Sequence, residues 1–131
     1  MRIVLDASAA LHVVLKIGRA SEFIGELERC SAVLAPSLFR SEVANTLWKY
    51  VRAGTIDKQG AMIRLAEALD LIDSLESDET LVTEALSLAV RYDHPVYDLL
   101  YVVLAMRFGA RLVSADRKLL ALVEKIDPSM L

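Results

Sequence analysis

Asp6, Glu42, Asp98 and Asp116 are four carboxylates placed where packing has little use for them and a cation has much. Asp6 follows the apolar run Ile3-Val4-Leu5, and Asp116 lies two residues beyond the strand-like Arg111-Leu112-Val113-Ser114. Asp98 opens the most apolar helical stretch, Leu99 to Met106. Glu42 sits early in a helix that starts just after Ala32-Val33-Leu34-Ala35. Three of the four therefore map to strand ends and to the first residues of the next element. In an open parallel sheet those ends share one edge, where ligands bind. Converging carboxylates raise one another's pKa unless a cation neutralises them, so the pattern asks for a divalent metal. Hard oxygen donors suit Mg²⁺ or Mn²⁺. Such ions make water nucleophilic near neutral pH and clamp the oxygens of a phosphodiester.

Each acid also has an ordinary structural use. Asp6, Asp98 and Asp116 fit helix caps, and Glu42 suits the positive end of a helix dipole. Singly, none demands a function; as a set converging on one edge, they do. Ser8 and Ser114, beside the two strand-end acids, either bond a ligand or cap local amides. Arg117 and Lys118 stand next to the acidic edge, and Arg40, Lys49 and Arg52 line the polar side of the Glu42 helix. They offer cations to an RNA backbone, or else are solvated helix faces. His12 reads as packed or surface-exposed, Cys30 as a small core residue, and Trp48 as a core or interface residue. His94, before Pro95, is a minor candidate for touching substrate.

The elements that must position these groups alternate between short apolar runs and longer helical patterns. Ile3–Leu5 reads as a strand, with Ser8 capping a helix through Leu15. Gly18 turns the chain, and Ser21 caps a second helix with Phe23, Ile24 and Leu27 inward. Ala32–Ala35 is the next strand, stopped by Pro36. Ser37 caps a long helix ending before Gly54, with Phe39, Val43, Leu47, Tyr50 and Val51 as its apolar stripe. Glu42, Asn45 and Lys49 share a different face. Asp57 caps a helix with Met62, Leu65 and Leu69 inward. Leu71-Ile72 forms a short strand, and Ser77 or Asp78 caps a helix through Tyr92. The last large helix runs from Tyr97-Asp98 to Gly109, before the strand Leu112-Val113 and a helix carrying Leu119, Leu120 and Val123. Such alternation predicts an α/β three-layer domain with a parallel sheet.

The 131 residues fit a single domain, 1–131, able to bury a core. A formal charge of −3, from 15 basic and 18 acidic residues, argues against a generic polyanion-binding surface. It leaves room for a nucleic-acid enzyme whose acidic site carries cations. One Cys and two His are too few for a usual zinc site. A lone cysteine makes no internal disulfide, which points to a reducing, cytoplasmic setting. The longest apolar stretch is far short of the roughly 20 residues a membrane helix needs, and Asp6 breaks any signal-peptide core. Hydrophobic content of 55% and a mean hydropathy of +0.41 predict buried interfaces and hence an oligomer.

Taken together, Leu5-Asp6-Ala7-Ser8, Glu42-Val43-Ala44-Asn45, Tyr97-Asp98-Leu99-Leu100-Tyr101 and Ser114-Ala115-Asp116 resemble PIN-domain nucleases. In size and layout the chain is similar to the VapC-like toxins of toxin–antitoxin pairs. The resemblance implies a PIN-like α/β/α fold with a mainly parallel central sheet and Mg²⁺- or Mn²⁺-dependent endoribonuclease activity. Asp6, Glu42, Asp98 and Asp116 would form the metal site, supported by Ser8, Asn45 and Ser114. It further implies a homodimer held inactive by a cognate antitoxin, whose C-terminal segment lies in the groove beside the acids. Two positions depart from the pattern. Ser114 stands where Thr is frequent, and His94-Pro95 stands where a small polar residue often precedes the Tyr-Asp pair. The competing expectation is a PIN-like module that binds RNA or protein without cleaving. A haloacid-dehalogenase-like phosphatase is disfavoured because Ser8 replaces its second Asp. A dinucleotide enzyme is disfavoured because no G-x-G-x-x-G follows the first strand.

Overall fold

Apolar residues alternate between strands and helices along the whole chain, and the computed structural model, which describes residues 1–131, shows how they stack. The order is β1 (Arg2–Leu5), α1 (Ala7–Leu15), α2 (Ala20–Arg29), β2 (Ala32–Pro36), α3 (Leu38–Arg52), α4 (Lys58–Asp70) and β3 (Ser74–Glu76). A 3-10 turn (Asp78–Thr80) comes next, then α5 (Val82–Tyr92), α6 (Val96–Phe108), β4 (Arg111–Val113), α7 (Arg117–Ile126) and a final 3-10 turn (Pro128–Met130).

The strands form one parallel sheet in the order β3-β2-β1-β4. Ile3 is level with Val33 on one side and Arg111 on the other, and Leu34 with Ser74. From β1 to β3 the chain steps one way across the sheet; from β3 to β4 it crosses back over β2 and β1. Right-handed crossovers therefore put α1–α4 on one face and α5–α6 on the other. The result is a three-layer α/β/α sandwich whose direction of winding reverses between β1 and β4. Helix α6 packs on β1, β2 and β4 and is backed by α5. Sandwiched between two layers, it is buried all round from Leu99 to Ala105, which is why its sequence is apolar without an amphipathic period.

Several local expectations shift. Asp6, not Ser8, caps α1, accepting from the Ala9 amide. Helix α2 starts one residue before Ser21, and Ile24 is exposed, unlike buried Phe23. Ser37 stands at the N-cap of α3 but makes no cap bond. Its Oγ instead accepts from the Asp78 amide, while Asp78 Oδ1 accepts from the Leu38 amide, each at 3.2 Å. The cap of α3 thus comes from across the sheet. Leu71 and Ile72 are not a strand, because their amides still bond Ala68 and Leu69 as α4 unwinds. Pairing with β2 begins only at Asp73, whose amide donates to Val33 O at 2.8 Å while its carboxylate accepts from Val33 N. Met62 is turned out and Ala68 fills the α4 contact. Asp57 does cap α4, accepting from Gly60 N.

Gly18 closes the α1–α2 turn at φ +51, where a Cβ would come within 2.6 Å of the His12 ring. His12 Nδ1 accepts the Arg19 amide, so this histidine holds a turn together.

Candidate active site

At the reversal point, β1 and β4 end side by side and deliver Asp6 and Asp116 to the same sheet edge. Helix α3 brings Glu42 from one layer and α6 brings Asp98 from the other. All four acids line one cleft of about 200 Å³, together with Ser8, Leu11, Thr46 and Tyr101. They reach it from four different elements.

Asp6 is the most constrained, at 5% exposure. Its Oδ1 accepts from the Ser8 hydroxyl at 2.7 Å and the Ala9 amide at 3.0 Å, and its Oδ2 from the Ser114 hydroxyl at 2.6 Å. Ser8 Oγ in turn accepts from the Ala115 amide, and Ser114 Oγ from the Asp116 amide, so the two serines lace the β1 and β4 ends together. Burial pushes the Asp6 carboxyl up to about 6; its three hydrogen bonds pull it down, and the Asp116 charge adds to the rise.

Glu42 is raised too, first by burial, then by the charges of Asp6, Asp98 and Asp78, against the lowering bond from Tyr101. The Tyr101 hydroxyl donates to Glu42 Oε1 at 2.5 Å. Burial and that carboxylate drive the phenol far above its ordinary range, so it stays a donor. Asp98 Oδ2 lies 2.7 Å from His94 Nε2. Asp116 caps α7, its Oδ1 accepting from Lys118 and Leu119 amides. Glu42, Asp98 and Asp116 thus each keep one oxygen that no protein group bonds.

No Arg or Lys pairs with any of the four acids; the Arg–Glu salt bridges lie elsewhere, and the contact of this kind at the cleft is His94 with Asp98. Every donor on them is a hydroxyl, an amide or an imidazole. Lys49, Arg117 and Lys118 are exposed, and none of them lines the cleft. Asn45 is exposed on α3 and does not line the cleft. Trp48 lies outside the core at 52% exposure, with the Arg52 guanidinium 4.5 Å above its ring. No three His, Cys, Asp or Glu side chains are already close enough to grip an ion together.

Sequence reasoning assigns no role to Tyr101 and only a minor one to His94. The signal for Tyr101 is spacing, three residues after Asp98 on α6; His94 lies in the loop before the helix, where spacing carries no such signal.

The family profile described as PIN domain matches residues 3–125. Ribonuclease VapC3 of Pyrobaculum aerophilum is 31% identical over 121 residues, spanning 91% of this chain and 92% of that protein. Exonuclease VapC9 of the same organism is 36% identical over 80 residues, 61% of this chain and 59% of the other. Among solved structures, the crystal structure of PAE2754 from Pyrobaculum aerophilum superposes with a TM-score of 0.75 at 26% identity, covering 96% of this chain and 92% of that one. With the profile spanning nearly its whole length and a VapC relative above 30% identity, the chain belongs to the PIN-domain family and is VapC-like within it.

Proposed function

We propose that this protein is a Mg²⁺- or Mn²⁺-dependent endoribonuclease, the toxin of a toxin–antitoxin pair. The observation that carries the reading is four carboxylates in one cleft with no Arg or Lys paired to any of them. Such a site is a poor structural device, because like charges at close quarters disfavour one another. It is a good one for a hard divalent ion.

Asp6, Glu42, Asp98 and Asp116 would hold the ion, the last three through their unbonded oxygens. When bound, a divalent ion supplies the positive charge that activates water and stabilises charge on a scissile phosphate. Alternatively Glu42, meeting the ion only through water, would take a proton from the attacking water at its free Oε2. Ser8 and Ser114 hold Asp6 in place. Lys49, Arg117 and Lys118 steer the RNA backbone toward the cleft without neutralising it.

Two apolar surfaces fit the partners this reading implies. Val82, Leu86 and Val90 recur every fourth residue on the outer face of α5 and are 45%, 56% and 76% exposed. That stripe suits a homodimer contact. Trp48 and Met62 flank a groove of about 260 Å³ between α3 and α4, lined also by Leu47, Val51 and Leu65. It suits an antitoxin, since α3 also carries Glu42 into the acidic cleft. No helix is long and apolar enough to cross a membrane, and a reducing cytoplasm remains the setting that the lone cysteine supports.

The test is a panel of structured RNAs, tRNA included, incubated with Mg²⁺, Mn²⁺ or EDTA. Metal-dependent cutting lost in folded Asp98→Asn is the expected result. No cutting by a metal-loaded wild type would instead favour a module that binds without cleaving.

A further inference from the structure

The acid least explained by its own element is Asp98, and its one protein partner comes from outside the helix. His94 precedes α6, and its Nε2 lies 2.7 Å from Asp98 Oδ2. Both side chains are mostly covered, at 16% and 27% exposure. The loop that presents the ring is tightly specified. Asp93 takes the left-handed conformation at φ +51 to end α5, a region that Asp tolerates better than most residues. The His94 amide then donates back to Ala89 O at 3.1 Å. Pro95 fixes the next backbone turn at φ −57 and, by its ring, keeps His94 extended.

We propose that His94 is a positioning residue for metal capture, holding Asp98 so that its free oxygen faces the cleft. This role rests on the metal-dependent reading above. A carboxylate oxygen can only accept, so the ring nitrogen at Nε2 carries the proton and donates. One donor on Oδ2 leaves the lone pairs of Oδ1 open. Donor identity matters here. A lysine or arginine in the same place would bring a fixed positive charge against an incoming cation. An imidazole N–H orients the acid without that obligatory charge. Freezing a rotatable carboxylate before the ion arrives removes an ordering cost from binding, as outer partners do in other metal sites. His94 therefore acts on the affinity for the ion and not on the chemistry.

The test is Mn²⁺ binding to the full chain by calorimetry, comparing wild type, His94→Phe and His94→Gln, with thermal melts alongside. Phe keeps a planar ring without a donor, whereas Gln can place its amide N–H close to the position of Nε2. The expected result is an Mn²⁺ Kd about tenfold weaker in His94→Phe, within about threefold of wild type in His94→Gln, and cleavage by both restored at saturating Mn²⁺. Equal affinities in wild type and His94→Phe would overturn the role alone. So would Phe and Gln variants weakened alike, which would mark the ring as loop packing. Absence of Mn²⁺ uptake by wild type would overturn the metal reading itself, and this role with it.

Discussion

The Asp6 carboxylate accepts three hydrogen bonds, yet burial still lifts it from its ordinary 3.8 to about 6. Between those values the folded protein keeps a proton that the unfolded chain has released. Stability from this group is therefore full below about pH 4 and falls as pH rises through 6. A rise of that size corresponds to about 3 kcal/mol. Metal-free protein should lose stability between about pH 4 and pH 6, and Mn²⁺ should restore it. Asp6→Asn should flatten that slope and raise the metal-free melting temperature near pH 7 while abolishing cleavage. Denaturant melts at the two pH values check this; a wild type equally stable at both would contradict it. Tyr101 gives a second prediction at this scale. Removing its hydroxyl leaves half-buried Glu42 without a donor, so Tyr101→Phe should cost about 1 kcal/mol and weaken Mn²⁺ binding, both read in one pair of titrations.

Elements explain which parts of this arrangement are legible in the sequence. Strands β1, β2 and β4 are short apolar runs, β1 stopped by Asp6, β2 by Pro36 and β4 by Ser114, and that punctuation suffices. Helix α6 is visible as an unbroken apolar stretch because it is buried on all sides. The sequence misplaces β3 by three residues, since Leu71 and Ile72 are more apolar than Ser74-Leu75-Glu76. Its position is decided by Asp73 bonding Val33 from forty residues away, and no local pattern carries that. The same limit hides the Asp78 cap on α3 and the Tyr101 bond to Glu42, both long-range. The four acids and the serines beside two of them, Ser8 and Ser114, can be named from the sequence, whereas the Tyr101 and His94 bonds to Glu42 and Asp98 need the fold. Asp57 is a purely local device, its Oδ1 accepting from Gly60 N at 2.6 Å. Asp57→Ala should lower stability by about 1 kcal/mol and leave the Mn²⁺ affinity untouched, a separation that melts and calorimetry together would reveal.

At the scale of the whole molecule, a net charge of −3 and an uncompensated acidic cleft oppose RNA binding until a cation is present. The exposed apolar residues are not scattered evenly: one set runs along α5 and another flanks the α3–α4 groove. Leu86→Glu should convert a dimer to a monomer in sedimentation while the monomer still melts cooperatively. A wild type that is already monomeric at tens of micromolar, on the order of ordinary dimer affinities, would remove the α5 stripe from consideration. On the proposed antitoxin docking in the α3–α4 groove, Trp48→Glu should spare cleavage and weaken binding of that partner, read by calorimetry.

The proposed activity joins the acids, the ion and an internal phosphodiester bond. A closed circular RNA tests all three at once, because only an internal cut can linearise it. The relatives named ribonuclease and exonuclease make that distinction worth forcing. We expect linearisation with Mg²⁺ or Mn²⁺, none with EDTA, and none with folded Asp98→Asn. Circular RNA left intact while a linear form of the same sequence is degraded would contradict the endonuclease assignment. Cutting that persists in EDTA would contradict the metal site.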